Sequence, residues 1–568
     1  MDTTDVILRY LYLGTTQPYY IYKSKSLDVG LGRLVLEPIK ILVQAAKNPD
    51  DLELRAKAEK ISLREEPVDT IVRAINSGSL PRRDECLFTL AYLIRTYTKP
   101  EEKNRVYRVL PNLIAVGKEL FQFVQFYQIL AEPKETGFGN GMRKALTKWY
   151  DRHTADELAK LLVTDRGAYG WTHRDILRQA HVQLADTAKT QVLLIVKGPG
   201  TLEKFRKTEY TGKYVDAVYG ALEVESEALT MFNQMKKFKA LDTADKACNG
   251  ITEQQYPFEL VPVPLLRSAA VWESLFPRLP YRDILRAAVL LQDFRLLKEN
   301  DSPLSVAYGN VLNRMTSVRE SRLHPIVIYR LMRLFEERQR YHNAVKEAIH
   351  TSNNLTLKNS KANPTVLKQF YAVLNESMLN YERTGLRFLV TLDLRSKQSK
   401  KRVFGNRLMS CQAAYILLTL PIVKREPHVT VLSFTEKPEE LKKVNLSREM
   451  DFFKACDHIQ NAAVKKTNVK LTRPIEYAEE NKMPVDVFIT IVDSLIRVNP
   501  KRRSPVVQLN AYNKAMKQKA RFVIVNLSRH NRDLEHDDMN STSGVLELAG
   551  CAEDAPKLID AYVKRHFT

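Results

Sequence analysis

The chain has 568 residues, 44% hydrophobic and 27% charged, so it is too long for one core and predicts two to four globular domains. Its formal net charge of +22 favours a polyanionic partner such as RNA, DNA or an anionic membrane, although surplus lysine on a solvated surface would give the same total. The five cysteines are scattered and form no C-x-x-C pair, which argues against a zinc site and against a disulfide-rich secreted protein.

Nothing in the sequence predicts export or a membrane span. The first residues, MDTTDVILRYLYLG, lack a basic segment and a small-residue cleavage site. The longest apolar run, residues 415–423, is too short to cross a bilayer and contains Pro421. We therefore expect a soluble protein without a membrane partner, located in the cytoplasm or in both the cytoplasm and the nucleus.

Amphipathic helical patterns follow one another from residue 31 to about residue 381, with short breaks at proline or glycine. Many short helices with modest connections predict a HEAT-like array of helix pairs, although no exact repeat period is present. A polar stretch at 351–364 predicts an exposed loop. The clearest predicted helices are residues 67–77, 83–97, 118–130, 142–151, 172–185, 281–297, 325–350 and 364–381.

The pattern changes after residue 382 to alternating strands and helices, which predicts a parallel, doubly wound sheet. The first strand, residues 386–392, is continuously apolar, stops at Asp393, and is followed by a cationic loop and a predicted helix at 407–420. Ligands in such sheets bind at the carboxyl ends of the strands, so a ligand is expected near Asp393. The other predicted strands are residues 429–434, 485–492 and 521–527.

The predicted helix at 172–185 carries a candidate binding face. Thr172, with Asp175 three residues later, resembles a capping box. Leu177, Ala180 and Leu184 share one face of the helix. Two guanidinium groups and an imidazole share another face and could contact phosphates or stack on bases; they belong to Arg174, Arg178 and His181. A solvated polar face would show the same pattern.

A second basic face is predicted just upstream, where Lys144 and Lys148 lie one helical turn apart and opposite an apolar stripe of Met142, Leu146 and Trp149. Glycines at 137, 139 and 141 precede this helix. They could leave backbone N–H groups free for an anion, but a flexible joint is the more common meaning of such a run.

Catalytic patterns are missing from the sequence, and we expect no enzymatic activity. Thr211-Gly212-Lys213 lacks the first glycine of a phosphate-binding loop, because Lys207 stands there. Neither a G-x-S-x-G elbow nor an H-E-x-x-H zinc motif occurs.

The chain resembles the sixty-kilodalton Ro ribonucleoprotein family, in which a TROVE domain precedes a von Willebrand factor A-like domain. The most specific similar stretch is GWTHRDILRQAH at residues 170–181. The other similar stretches follow one another in the same order as in the family and extend over nearly the whole chain. They are residues 13–27, 123–126, 141–151, 321–325, 387–405, 484–493 and 544–550.

The resemblance implies a ring of HEAT-like helices closed by the A-like domain, with domains at 1–382 and 383–568. It also implies binding of small non-coding Y RNA on the outer surface, and of the single-stranded ends of misfolded small RNAs in a central hole. Carried over by position, the RNA-binding residues would be Lys144, Lys148, Arg166, Arg174, Arg178 and His181.

Two departures from the family pattern alter these expectations. The loop before Trp171, which is basic in the family, keeps only Arg166 as a positive charge. A-like domains hold a divalent metal through Asp-x-Ser-x-Ser, a later Thr and a second Asp. This chain keeps Asp393 and Asp493 but has Arg395 and Lys397 at the serine positions, so no metal or other cofactor is expected.

Without a metal, the two aspartates would repel each other across the sheet. We expect Arg395 or Lys397 to fold back between them as an internal salt bridge.

Two functional hypotheses remain open from the sequence. The first is a Ro-like RNA-binding protein in small-RNA quality control, supported by the net charge and by residues 170–181. The second is a protein-interaction scaffold of the same fold, with protein partners on the A-like domain and RNA binding weakened or lost, which the depleted loop before Trp171 favours.

Overall fold

The structure is a computed structural model that describes residues 2–22, 27–132, 137–198, 201, 214–223, 225–297, 301–350, 362–399, 401–493, 504–528 and 544–568, without the side chains of 338–350 and 398–399. By packing, the chain divides into two compact units, Met1–Tyr12 with Leu27–Val271, and Leu13–Ser26 with Trp272–Thr568. The division at residue 382 that the sequence suggested stays a prediction, as does closure of a ring.

The first unit is helical. Its helices pack as neighbours along the chain, with α5 against α7 and α6 against α8. Helix α5 is buried along nearly its whole length, so it lies at the centre of this core. In chain order the helices are α1 Thr3–Leu13, α2 Val29–Lys47, α3 Leu52–Ala58, α4 Pro67–Asn76, α5 Asp84–Thr96, α6 Pro100–Leu113, α7 Gly117–Ile129, α8 Asn140–Asp151, α9 Ala155–Thr164, α10 His173–Gln179, α11 Thr187–Lys197, α12 Val215–Glu223, α13 Glu227–Phe238 and α14 Ala244–Thr252.

The second unit begins with more helices and then forms an α/β sheet. The helices are α15 Ala269–Leu275, α16 Tyr281–Asp293, α17 Pro303–Leu312, α18 Met315–Glu320, α19 Pro325–His350, α20 Pro364–Ser377, α21 Cys411–Arg425, α22 Phe452–Ala462, α23 Arg473–Glu480, α24 Pro505–Ala515 and α25 Asp554–Val563. The strands are β1 Tyr19–Ile21, β2 Arg387–Leu392, β3 Arg402–Val403, β4 Asn406–Ser410, β5 His428–Phe434, β6 Leu441–Lys443, β7 Val487–Val492, β8 Arg521–Asn526 and β9 Val545–Ala549.

Seven of these strands form one sheet in the order β1-β9-β8-β7-β2-β5-β6. All neighbours are parallel except β6, which runs antiparallel to β5. Every residue of the central strand β7 is buried, as expected for a strand covered on both faces. The predicted doubly wound sheet is therefore confirmed, and β3 and β4 form a separate hairpin.

The four predicted strands and most predicted helices occur within a few residues of their expected bounds. Two helix predictions are wrong in part. Residues 407–410 belong to strand β4, and the helix starts at Cys411, where the Ser410 side chain caps it. The helix predicted at 172–185 ends at Gln179. Most of the predicted loop at 351–364 lies outside the described residues.

Candidate nucleic-acid interface

Helix α10 begins with the predicted capping box. The backbone N–H of Asp175 donates to the Thr172 hydroxyl at 3.3 Å, and the N–H of Thr172 donates to the Asp175 carboxylate at 3.0 Å. These bonds satisfy two N–H groups that the first turn would leave unpaired. The start of the helix is therefore fixed by local sequence.

The end of helix α10 differs from the prediction. Ala180 caps the helix, and His181 adopts a left-handed conformation with φ +51°. The N–H groups of His181 and Val182 donate to the carbonyls of Arg178 and Leu177, which is the hydrogen-bond pattern of a Schellman motif. Leu184 is buried as predicted, but it lies beyond the helix. His181 is exposed in the turn after α10, and so is not on the same helical face as the two arginines.

Arg174 and Arg178 converge on one backbone position, Gly198. A Cβ atom at Gly198 would lie 2.9 Å from Nη2 of Arg174 and 3.1 Å from Nη2 of Arg178. Gly198 has φ +120°, a conformation that side chains rarely allow, and it is the residue that caps helix α11. Arg178 is held there because its Nε donates to the carbonyl of Lys197 at 2.8 Å.

Lys197 precedes Gly198 in the chain, and it contacts Arg178 through its backbone carbonyl. Its Nζ donates to the carbonyl of Val182 at 2.5 Å, and burial lowers the pKa of the ammonium group to about 8. We call Arg174, Arg178 and Lys197 the basic cluster. No local sequence pattern marks Lys197 as part of this group. The glycine and proline that follow it mark a helix end, where a lysine commonly lies beside unpaired carbonyls.

The other predicted basic residues lie on neighbouring elements. Lys144 and Lys148 are exposed on α8, opposite the buried Met142, Leu146 and Trp149, as the helical pattern predicted. The three glycines at the start of α8 differ in their surroundings, and only Gly141 packs against a neighbouring side chain. Gly137 has φ +74°, and a Cβ atom at Gly141 would lie 2.3 Å from the Tyr107 ring. This close approach explains Gly141 without an anion.

A buried polar chain joins α8, α10 and the loop that carries the exposed Arg166. The Tyr150 hydroxyl lies 2.9 Å from Nδ1 of His173, and Nε2 of His173 lies 3.2 Å from the Asp165 carboxylate. The His173 ring also packs edge-on against Phe121. Because His173 is 4% exposed, it is a core residue that positions the loop next to Arg166. Sequence periodicity did not distinguish it from its exposed neighbours.

Comparisons with known proteins agree with the two-part fold. A TROVE domain model matches residues 102–260, and the model of the Ro60 vWA domain matches residues 387–563. This chain belongs to the Ro60 family. It is 23% identical to the RNA-binding protein RO60 of Caenorhabditis elegans, over 99% of this chain and 88% of the relative. It is 22% identical to the RNA-binding protein RO60 of Deinococcus radiodurans, over 85% of this chain and 82% of that protein.

A solved structure shows the same fold. The crystal structure of the Deinococcus radiodurans Ro (RSR) protein matches with a TM-score of 0.75 at 19% identity, over 100% of both chains. A helical TROVE region followed by a mostly parallel vWA-like α/β domain is thus the architecture of this Ro60 family member. Within the described ranges, no helix combines the length and apolar character needed to cross a membrane.

The Ro60-type vWA domain of this chain brings Asp393 and Asp493 together at the carboxyl edge of the sheet. Strands β2 and β7 pair in parallel, and the N–H of Asp393 donates to the carbonyl of Ile491 at 3.1 Å. Both side chains are buried. A divalent cation held by this family's pattern would be expected to lie at this edge.

A guanidinium group lies between the two carboxylates. Nη2 of Arg395 donates to Asp393 at 2.9 Å and also to Asp493. The expected internal salt bridge is therefore present, and Arg395 forms it, whereas Lys397 is exposed. Lys401, which no sequence pattern marks as part of this site, adds a bond to Asp493 at 3.1 Å.

The other carboxylate oxygen of Asp393, Oδ1, also accepts a hydrogen bond. Thr467 donates its hydroxyl to Asp393. Burial raises the pKa of Asp393, while Thr467, Arg395 and Lys401 act in the opposite direction. A metal ion would meet two cations here instead of two hydroxyl ligands, so the residues present do not fit the family's divalent metal. Elsewhere in the described part of the chain, no cluster of three or more His, Cys, Asp or Glu could hold a metal ion.

Proposed function

We propose that this protein binds small non-coding RNA, of the Y type or as the single-stranded ends of misfolded small RNAs, and acts in small-RNA quality control. The observation that carries the proposal is the convergence of Arg174 and Arg178 on Gly198, beside Lys197. Guanidinium groups offer planar forks of donors that match phosphate oxygens, and the missing side chain at the buried Gly198 lets the two groups come together over the backbone.

Charge and exposure on nearby elements support the same proposal. Arg166, His181, Lys144 and Lys148 are all exposed, and the whole chain has a net charge of +22. Two Ro60 relatives are named RNA-binding proteins. The proposed role is binding without catalysis. It also needs no resident metal at the sheet edge, because Arg395 contacts both Asp393 and Asp493 there. We propose that it is carried out in the cytoplasm, or in both the cytoplasm and the nucleus.

A protein-interaction scaffold is the second candidate. The observation in its favour is that the loop before Trp171 carries one positive charge, Arg166, so this loop can neutralise few phosphates. Protein partners would then bind the A-like domain. The two candidates differ in whether RNA accompanies the folded protein.

The test is to purify the full chain from cells at low salt and to measure its ultraviolet absorbance ratio, then sequence any RNA that it carries. We expect bound small RNA in the wild type. The variant with Arg174→Gln and Arg178→Gln should lose most of it, because two of the three cations of the basic cluster are removed. A matched variant on and just after α3, with Arg55→Gln and Lys60→Gln, loses the same charge from exposed positions and should keep the RNA. A wild-type protein free of RNA under these conditions would favour the scaffold.

A further inference from the structure

A tight turn immediately before helix α10 presents an aromatic side chain. Ala168 and Trp171 exchange two backbone hydrogen bonds, each 2.9 Å long, and enclose Tyr169 and Gly170. Both enclosed residues have positive φ, +55° and +79°. Two such residues between paired hydrogen bonds define a type I′ turn, which asparagine and glycine usually form.

Tyr169 is an unusual residue at this position. A bulky side chain at positive φ is strained, and strained residues of this kind often lie at functional sites. The Tyr169 side chain also gains little burial in return, since the residue is 44% exposed. Local stability alone would therefore favour asparagine over tyrosine here.

The base of the turn is firmly held, so the tyrosine lies on a fixed support. Nε1 of Trp171 donates to the Gln125 side chain at 3.1 Å, and the Trp171 ring packs against Phe138. On the other side, Asp165 pairs with the buried His173. An aromatic side chain on a fixed turn has few rotatable bonds to order when it binds a flat partner.

We propose that Tyr169 is a stacking platform for an unpaired nucleobase of bound RNA. This inference rests on the proposed function and adds a contact to the base rather than to the phosphate. Single-stranded nucleic acid is commonly held by a cationic surface that follows the backbone and by aromatic rings that stack on bases. The same loop provides both, since Arg166 is exposed three residues before Tyr169.

The phenol group suits this role near phosphates. The ordinary pKa of a phenol, 10.0, already leaves the ring uncharged at neutral pH, and burial, followed by the nearby Asp84, raises the pKa of Tyr169 further. Arg166 is the one positive charge in residues 164–168, so a stacked base would add affinity there without further charge.

The test uses the full chain and an oligouridylate that carries a single 2-aminopurine at successive positions. We expect quenching of the 2-aminopurine in the wild type and with Tyr169→Phe, which keeps the ring and should bind within about twofold of the wild type. Tyr169→Asn should bind about fivefold to a hundredfold more weakly and should abolish the quenching. Its dependence on salt should stay unchanged, because no charge is removed.

Thermal unfolding separates this role from a structural one. Because asparagine tolerates the left-handed conformation, Tyr169→Asn should melt at the same temperature as the wild type or higher. A lower melting temperature would show that Tyr169 supports the fold, and equal RNA affinity of the Asn variant and the wild type would show that no base stacks there. Either result overturns the proposal while RNA binding itself stands. A wild-type protein that binds no RNA would instead overturn the proposed function, and this inference with it.

Discussion

Lys197 is the residue in the basic cluster whose charge changes near neutral pH. Burial disfavours its charged form and lowers its pKa to about 8, from an ordinary value of 10.5. In the unfolded chain the amine keeps its proton up to that ordinary value. Between pH 8 and 10.5 the unfolded state therefore binds more protons than the folded state. This residue alone should therefore raise the free energy of unfolding with pH in that window, by at most about 1.4 kcal/mol per pH unit.

The same titration should appear in RNA binding. A bound phosphate favours the charged amine, so affinity for an oligoadenylate should fall as the pH rises from 7 to 9 at constant ionic strength. Lys197→Met removes the titrating group and should bind more weakly at pH 7, with a flat profile over the same range. If the wild type and Lys197→Met showed the same pH dependence, Lys197 would not contact the RNA.

Sequence reasoning located some of these residues and not others, for physical reasons. Arg174 and Arg178 were found because a helical repeat and a capping box are local patterns. The end of α10 was missed because His181 takes the left-handed position that usually shows as glycine. Lys197 was missed because the contact of Arg178 with its backbone carbonyl depends on how α10 and α11 pack.

At the scale of elements, strands β2 and β7 bring two carboxylates close together, and one arginine side chain offsets their repulsion. They end with Asp393 and Asp493 side by side in a buried edge of the sheet. Arg395 contacts both carboxylates and is itself 30% exposed in its side chain. Two buried carboxylates with no such partner would destabilise the sheet.

We therefore expect Arg395→Gln to lower the free energy of unfolding of the full chain by about 3–5 kcal/mol at pH 7, as measured by denaturant titration. Lys401 remains near Asp493 and keeps the loss toward the lower end of this range. Arg402→Gln is the matched control, because Arg402 is an exposed arginine at the start of β3 in the same loop and should change stability by less than about 0.5 kcal/mol.

The pH dependence of this loss has a definite sign. Burial already raises the folded pKa of Asp393 above its ordinary 3.8. A carboxyl group with a raised folded pKa binds its proton more readily in the folded state, so its burial cost shrinks as the pH falls toward that pKa. The difference between Arg395→Gln and the wild type should thus be smaller at acid pH. Equal stability of the two proteins at pH 7 would contradict the salt bridge.

Strands with a local apolar sequence pattern were predictable, whereas a strand defined by long-range pairing was not. Continuous apolar runs gave β2, β5, β7 and β8 within two residues of their bounds. Strand β1 has three residues and pairs with β9, more than 500 positions away, so no local pattern marks it. The salt bridge at the sheet edge could be predicted directly from Arg395, because a cation at a ligand position is a strong chemical signal.

At the scale of the whole molecule, a net charge of +22 attracts any polyanion and speeds its approach, but it does not define a site. The family resemblance predicted both parts of the fold from short motifs spread over the chain. It did not predict that Leu13–Ser26 belongs with the second packing unit, since that depends on the pairing of β1. Local convergence of cations, and not total charge, is what the functional proposal depends on.

The most direct measurement is the affinity of the full chain for a single-stranded oligoadenylate over a range of salt concentrations. Contacts from the three cations of the basic cluster predict a slope of log affinity against log salt of about −2 or steeper, at roughly −0.7 per neutralised phosphate. Arg174→Gln with Arg178→Gln should make the slope shallower by about 1.4, and Arg55→Gln with Lys60→Gln should leave it unchanged. A flat response in the wild type, no binding at low salt, or equal slopes in all three proteins would contradict RNA binding by the basic cluster.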